Sequence, residues 1–169
     1  MAKKSIFTNR RNKYNNKHKF AVVDNKGETY PFDSYNVAEM FAKQNFKEYE
    51  ILKFDSTLER DRFLVLKRFE NKGVIKDLKC QVKFELIPSQ KYEKVTRLKN
   101  GIKTFKMATM RPTAYYADFT YYEGGMYVVE DTKSPITRKK PEYSIKKKLM
   151  LLNHNIVIKE VMKRCINTL

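Results

Sequence analysis

Two short segments near the middle of the chain, joined by a glycine-rich turn, constrain the fold most. Tyr115–Tyr122 is rich in the aromatic residues that favour strands, and Met126–Lys133 is a second strand-like segment. Glu123-Gly124-Gly125 between them is typical of a hairpin turn. Because side chains alternate between the two faces of a strand, Asp131 and Lys133 point the same way, and Asp118 on the neighbouring strand can share that face. The sequence therefore predicts two carboxylates and an amine on one face of a sheet.

The rest of the chain predicts a mixed α/β domain with an N-terminal accessory segment. We divide it into a basic disordered arm over 1–19, an accessory hairpin and short helix over 20–50, and the main domain over 51–169. The accessory segment is predicted to contain a hairpin around the turn 24–27 and a helix over 36–45, with Val37, Met40 and Phe41 on one face. The main domain is predicted to begin with a helix that runs from Ser56 to about Lys72 and is stopped by Gly73. The elements predicted after it are a strand over 78–86 ended by Pro88, a hairpin around Asn100-Gly101, a helix over 146–153 and a strand over 156–161.

Charge gives the first indication of a partner. The 169 residues include 36 Lys and Arg against 19 Asp and Glu, a formal net charge of +17. Such an excess points to a polyanionic partner, with nucleic acid as the leading candidate and an anionic membrane surface second. No apolar run approaches the roughly 18–20 residues that span a bilayer. We therefore expect no membrane partner and a cytoplasmic location.

Asp118 and Asp131 are the predicted ligands of Mg²⁺, because this hard cation binds carboxylate oxygens, and the carbonyl of Thr132 can add a ligand. Lys133 would orient or deprotonate an attacking water, or offset charge on a phosphate. The alternative is that Asp131 and Lys133 form a solvated strand face. The isolated cysteines Cys80 and Cys165 and only two histidines argue against zinc.

Glu130 and Glu59 are two further acidic residues with candidate roles. Glu130 is adjacent to Asp131 and so points to the opposite face, which favours a structural or surface charge. Glu59 completes the pattern Ser56-x-x-Glu59 of a capping box, in which its carboxylate reaches back to the helix start. It can instead be a third acid that holds a second metal or a metal-bound water, and the pattern alone leaves both roles open.

The candidate site residues resemble those of a known group of proteins. Glu59 on a leading helix, Asp118 on a strand and Asp131-x-Lys133 on the next strand resemble the PD-(D/E)xK nuclease superfamily. More closely, five motifs are similar to a family of small phage-encoded proteins described as Holliday-junction-resolvase-like or as endonucleases. These motifs are Phe54–Glu59, Gly73–Leu78, Gln81–Leu86, Tyr116–Phe119 and Val129–Lys133.

The resemblance covers about residues 50–161. It implies a restriction-endonuclease-like core, a mixed central sheet flanked by helices, with Mg²⁺ or Mn²⁺ bound by acidic residues at the sheet edge. It also implies a location in the host cell cytoplasm if the chain is phage-encoded. It gives the metal role to Glu59, Asp118 and Asp131 and the catalytic lysine role to Lys133. The chain departs from the superfamily pattern in three places. Ala117 stands where a proline is frequent, Ser134 where a glycine is common, and Asp131 where glutamate is more usual.

The implied function is a metal-dependent endonuclease that hydrolyses DNA, as a duplex or as a branched junction. Junction cleavage normally needs two active sites, and hence a homodimer. The alternative is a non-catalytic protein on the same scaffold that binds nucleic acid or regulates a protein partner. Cations that follow the second strand are predicted to bind phosphates, or else to form a solvated helix face: Arg138, Lys139, Lys140, Lys146 and Lys147.

Overall fold

The computed structural model describes residues 18–99, 101 and 103–168, so most of the basic arm predicted over 1–19 lies outside the described residues. Lys19, the last residue of that arm, already belongs to the first strand. The strands are β1 (Lys19–Asp24), β2 (Thr29–Phe32), β3 (Tyr49–Phe54), β4 (Ile75–Ile87), β5 (Gln90–Arg97), β6 (Lys103–Met110), β7 (Thr113–Glu123), β8 (Met126–Thr132) and β9 (Lys159–Val161). The helices are α1 (Tyr35–Asn45), α2 (Thr57–Asn71), α3 (Pro135–Arg138) and α4 (Pro141–His154), followed by a 3₁₀ turn over Lys163–Cys165.

The mixed α/β architecture predicted from the sequence is confirmed, and its residues form two compact units. The first contains the described residues up to Leu78, together with 121–126 and 161–168. The second contains 79–120 and 127–160. No helix in the described part of the chain combines the length and the apolar character needed to cross a membrane.

The first unit is built on a three-stranded sheet in the order β2-β1-β3. The predicted hairpin is present, and Asp24 closes its turn by accepting hydrogen bonds from the backbone N–H groups of Lys26 and Glu28. Strand β3 pairs with β1 from Phe54 to Tyr49, so the boundary predicted after residue 50 falls inside a strand. The accessory segment and the start of the main domain therefore share one sheet.

Helix α1 packs on this sheet through a different face from the predicted one. Ala38 and Ala42 are completely buried, whereas Val37 and Met40 are exposed, so the predicted apolar face is wrong for those two residues. Phe41 does pack as expected, with its ring 5.3 Å from that of Tyr30. The aromatic side chains of the sheet already fill the core, and only the small alanines allow the helix to approach closely.

Helix α2 begins and ends where the sequence predicts. Ser56 is its N-cap, Phe63 and Leu66 are buried, and Gly73 follows its end with the left-handed φ of 73° that favours glycine. Leu78, the last residue of this continuous stretch, donates its backbone N–H to Glu70 near the end of the helix.

The second unit is built on a four-stranded sheet in the order β4-β7-β8-β9 and a separate hairpin of β5 and β6. Helix α4 covers a core that includes Tyr115, Val129, Tyr143 and Met150. This helix begins at Pro141, five residues before the predicted start, because proline is favoured in the first turn of a helix. The last strand is shorter than predicted, since only Lys159–Val161 pairs. The predicted hairpin around Asn100-Gly101 is present, although Asn100 itself is outside the described residues.

Candidate active site

Asp118, Asp131 and Lys133 come together on one side of the sheet in the second unit. Asp118 lies on β7, Asp131 on the adjacent strand β8, and Lys133 directly after the end of β8. The Lys133 ammonium lies 2.5 Å from Asp131 Oδ1 and 3.8 Å from Asp118 Oδ2. One ammonium therefore bridges two carboxylates, as the alternation of side chains along the strands predicts.

Asp131 is completely buried, and both of its oxygens are hydrogen-bonded. Lys133 donates to Oδ1, and the hydroxyl of Tyr115 donates to Oδ2 at 2.5 Å. Burial raises the pKa of Asp131 to about 7, and the charge of Asp118 acts in the same direction, whereas Lys133 opposes the rise. Burial and the neighbouring Asp131 also raise the pKa of Tyr115, so its hydroxyl remains a donor at neutral pH.

Asp118 is fixed by the end of the neighbouring strand. Its Oδ2 accepts hydrogen bonds from the backbone N–H of Thr132 at 2.8 Å and from the Thr132 hydroxyl at 2.7 Å. In the structure, the backbone N–H and the hydroxyl of Thr132 therefore hold Asp118 in place. The predicted role of the Thr132 carbonyl as a metal ligand stays a prediction. Both hydrogen bonds from Thr132 reach Oδ2, the oxygen that also lies near the Lys133 ammonium. They fix the orientation of the Asp118 carboxylate.

The chemistry of this donor set fits a hard divalent cation. Two carboxylates lie around one ammonium, and Mg²⁺ is typically held by one or two carboxylates, with waters and phosphate completing the octahedron. No cluster of three or more Asp, Glu, His or Cys side chains suitable for a metal occurs in the described part of the chain. Asp118 and Asp131 would hold such an ion as a pair.

Glu59 belongs to the first unit, at the N-terminus of α2. The Ser56 hydroxyl accepts a hydrogen bond from the Glu59 backbone N–H at 3.1 Å, and Glu59 Oε2 accepts one from the backbone N–H of Asp55 at 3.1 Å. Ser56 therefore caps the helix as predicted, and the Glu59 carboxylate reaches back to the helix start at Asp55, one residue before the N-cap. A metal role for Glu59, which is 5% exposed, stays a prediction.

Glu130, on β8 next to Asp131, is completely buried. Glu130 is therefore not a surface charge, which was one of the two roles predicted from the sequence, and the predicted structural role remains. The alternation of a strand distinguishes its two faces, but it does not reveal whether the second face is also covered.

The predicted phosphate-binding cations have several intramolecular partners. Glu160 on β9 accepts from Arg138 Nε at 2.6 Å and from Lys147 Nζ at 2.8 Å. Although burial acts in the opposite direction, these two cations hold the pKa of Glu160 below its usual range. Lys146 donates to the backbone carbonyl of Ala114 at 3.0 Å. Lys139 is exposed and follows the short helix α3.

Tyr143 on α4 is a site residue that the sequence did not single out. Its ring lies 5.9 Å from the Lys133 ammonium and 5.6 Å from the Lys147 ammonium, within cation–π range of both. Burial and the carboxylates of Asp131 and Glu160 raise the pKa of its hydroxyl. A signal existed, since Tyr143 and Met150 are seven residues apart and so share one face of a helix.

A family model described as "Protein of unknown function (DUF1064)" matches residues 41–167, most of the chain. The chain belongs to this family. The matched region contains all four residues of the predicted site, Glu59, Asp118, Asp131 and Lys133. No curated protein and no solved structure matches the chain.

Proposed function

We propose that this chain is a Mg²⁺- or Mn²⁺-dependent endonuclease that hydrolyses DNA phosphodiester bonds on a restriction-endonuclease-like core. The observation that carries the proposal is the placement of Asp118, Asp131 and Lys133 around one point on neighbouring strands. A purely structural ion pair needs only one carboxylate, whereas the Lys133 ammonium lies within ion-pair distance of two. The resemblance to PD-(D/E)xK nucleases assigns the same residues to catalysis.

Asp118 and Asp131 would hold the divalent cation, which supplies Lewis-acid polarisation of the phosphate when bound. Thr132 orients Asp118 through two hydrogen bonds, and Tyr115 orients Asp131 through one. Lys133, with its side chain 21% exposed, would present a positive charge to a non-bridging phosphate oxygen as negative charge develops there. The burial of Asp131 excludes water from the carboxylate and strengthens these interactions.

The net charge of +17 supports a polyanionic substrate. Among the cations predicted to bind phosphate, Arg138 and Lys139 are exposed, although Arg138, like Lys146 and Lys147, also binds an acceptor of the protein itself. Cleavage of branched DNA by a homodimer, and action in the host cytoplasm, are extensions of the same proposal.

Cleavage assays on duplex, flap and four-way DNA, each with Mg²⁺ and with Mn²⁺, test this function. Asp118→Asn and Lys133→Met are expected to reduce cleavage at least about 10²-fold, because the first would remove a metal ligand and the second the positive charge that would face the phosphate. Glu142→Gln and Lys83→Met make the same changes of charge at exposed positions and should retain wild-type rates. Intact wild-type reactions on every substrate with both metals would reject the proposal.

A second function has one observation in its favour. Both oxygens of Asp131 are already bonded within the protein, which suits a structural ion pair in a non-catalytic protein that binds nucleic acid or regulates a partner. In that case DNA binding would persist when Asp118 and Asp131 become alanine, wild type would not cleave, and calorimetric titration with Mg²⁺ or Mn²⁺ would give no heat.

A further inference from the structure

The hairpin of β5 and β6 is a two-stranded ribbon that pairs with no other strand in the described part of the chain. Its register runs from Gln90 opposite Met110 to Arg97 opposite Lys103. The described side chains of both strands are exposed, apart from Ala108, which is half-buried. The ribbon therefore offers two accessible faces rather than one.

The charges on this ribbon repel one another. Lys94 lies directly opposite Lys106, and Arg97 lies directly opposite Lys103. Like charges in cross-strand pairs destabilise a sheet, and an isolated two-stranded hairpin is only marginally stable. Glu93 is the one acidic residue in the sequence of these two strands. An anion near the two pairs would remove the repulsion.

The two like-charged pairs lie on opposite faces of the ribbon, because Lys94 and Arg97 are three residues apart and side chains alternate. A flat anionic surface, such as a membrane, can meet one of these faces at a time. A groove with phosphates along both walls can meet both faces at once. The major groove of duplex DNA has such walls, is about 12 Å wide and admits a two-stranded β-ribbon.

We propose that the β5–β6 ribbon is a DNA-binding arm that enters the major groove of duplex DNA. Lys94 and Lys106 contact the phosphates of one wall, and Arg97 and Lys103 contact those of the other. The choice of DNA among polyanions rests on the proposed endonuclease function. Val95 and Phe105 are an exposed cross-strand pair on the same face as Arg97 and Lys103, so their apolar side chains lie along the same wall of the groove.

The test measures binding of the full-length chain to a fluorescent DNA duplex over a range of salt concentrations, in EDTA so that no cleavage occurs. The variant replaces Lys94, Arg97, Lys103 and Lys106 by glutamine. Each lost phosphate contact reduces the slope of log K against log salt by about 0.9, so the slope should become less steep by up to about 3.6. From about 50 to 200 mM salt, wild type should then lose up to about 150-fold more affinity than the variant.

A matched control removes four charges from exposed lysines outside the ribbon: Lys26, Lys47, Lys72 and Lys83, each replaced by glutamine. It lowers the net charge equally and should leave the slope near that of wild type. Equal slopes for the ribbon variant and the control would overturn the proposal. Circular dichroism should show that both variants remain folded, and relief of the like-charge repulsion predicts no loss of stability in the ribbon variant.

A variant that gains DNA affinity provides a second test, because misfolding cannot explain tighter binding. Glu93→Lys removes the acid of the ribbon and adds a cation, so the duplex should bind more tightly and with a steeper slope. Double-stranded RNA supplies a contrast, because its major groove is deep and narrow. Binding to RNA should therefore differ little between wild type and the ribbon variant, and an equal loss on RNA and DNA would refute entry into the major groove.

Other occupants give recognisable results that would overturn the proposal. If the ribbon joins two copies of the chain, the ribbon variant changes the sedimentation coefficient and leaves DNA affinity intact. If it lies on a membrane, the variant loses binding only to vesicles containing phosphatidylserine. The endonuclease proposal fails separately, since ribbon-dependent DNA binding without metal-dependent cleavage would reject the enzyme and keep the arm.

Discussion

Replacing Tyr115 by phenylalanine tests how the buried carboxylate of the site is held. The ring of Tyr115 is part of the core and the change keeps it, so only the hydroxyl is lost. That hydroxyl donates at 2.5 Å to Asp131 Oδ2, and Asp131 is 0% exposed. Water cannot replace the lost donor without opening the core.

The expected loss follows from this geometry. A hydrogen bond to a charged group contributes about 1.5–3 kcal/mol, and leaving a buried acceptor unpaired costs a similar amount. For a chain of this length, each kcal/mol corresponds to about 2–4 °C in Tm, so Tyr115→Phe should melt about 3–12 °C lower. Tyr116→Phe, the same chemical change at the next residue, removes an exposed hydroxyl and should stay within about 0.5 kcal/mol of wild type.

Urea unfolding followed by circular dichroism, together with calorimetry, measures both variants at pH 9, above the Asp131 pKa of about 7, so that this carboxylate is charged. If Tyr115→Phe and Tyr116→Phe lower the free energy of unfolding by the same small amount, the Tyr115 hydroxyl does not stabilise the Asp131 carboxylate. A decrease confined to Tyr115→Phe would show that this hydroxyl supports Asp131. Under the endonuclease proposal, that variant should also cleave more slowly, because the orientation of Asp131 is relaxed.

Three further predictions concern stability and are measured by urea unfolding. Ser56→Ala should cost about 1 kcal/mol, since its hydroxyl accepts a hydrogen bond at the start of α2. Asn155, at the C-terminal end of α4 with φ 54°, should tolerate glycine without loss, whereas valine should cost about 1–2 kcal/mol. Glu160→Gln should cost about 1 kcal/mol at neutral pH, because partly exposed cations donate to it. The pKa of Glu160 is lowered in the folded state, so its contribution is present above the unfolded-state pKa and disappears as pH falls through the folded-state pKa.

The sequence by itself determined the elements whose signals are local. Glycine turns, capping residues and strand alternation located helix α2, the hairpins and the shared face of Asp131 and Lys133. These features depend on φ, on short hydrogen bonds and on the period of a strand, all of which neighbouring residues set.

Only the tertiary structure decided what each face meets. It turned the alanines of α1 toward the sheet, buried Glu130, brought Tyr143 beside Lys133, and gave Arg138 and Lys147 a common partner in Glu160. These outcomes join residues far apart in the chain, and they depend on which side chains have already filled the available volume. Local periodicity carries no information about that volume, because close packing is a property of the assembled core.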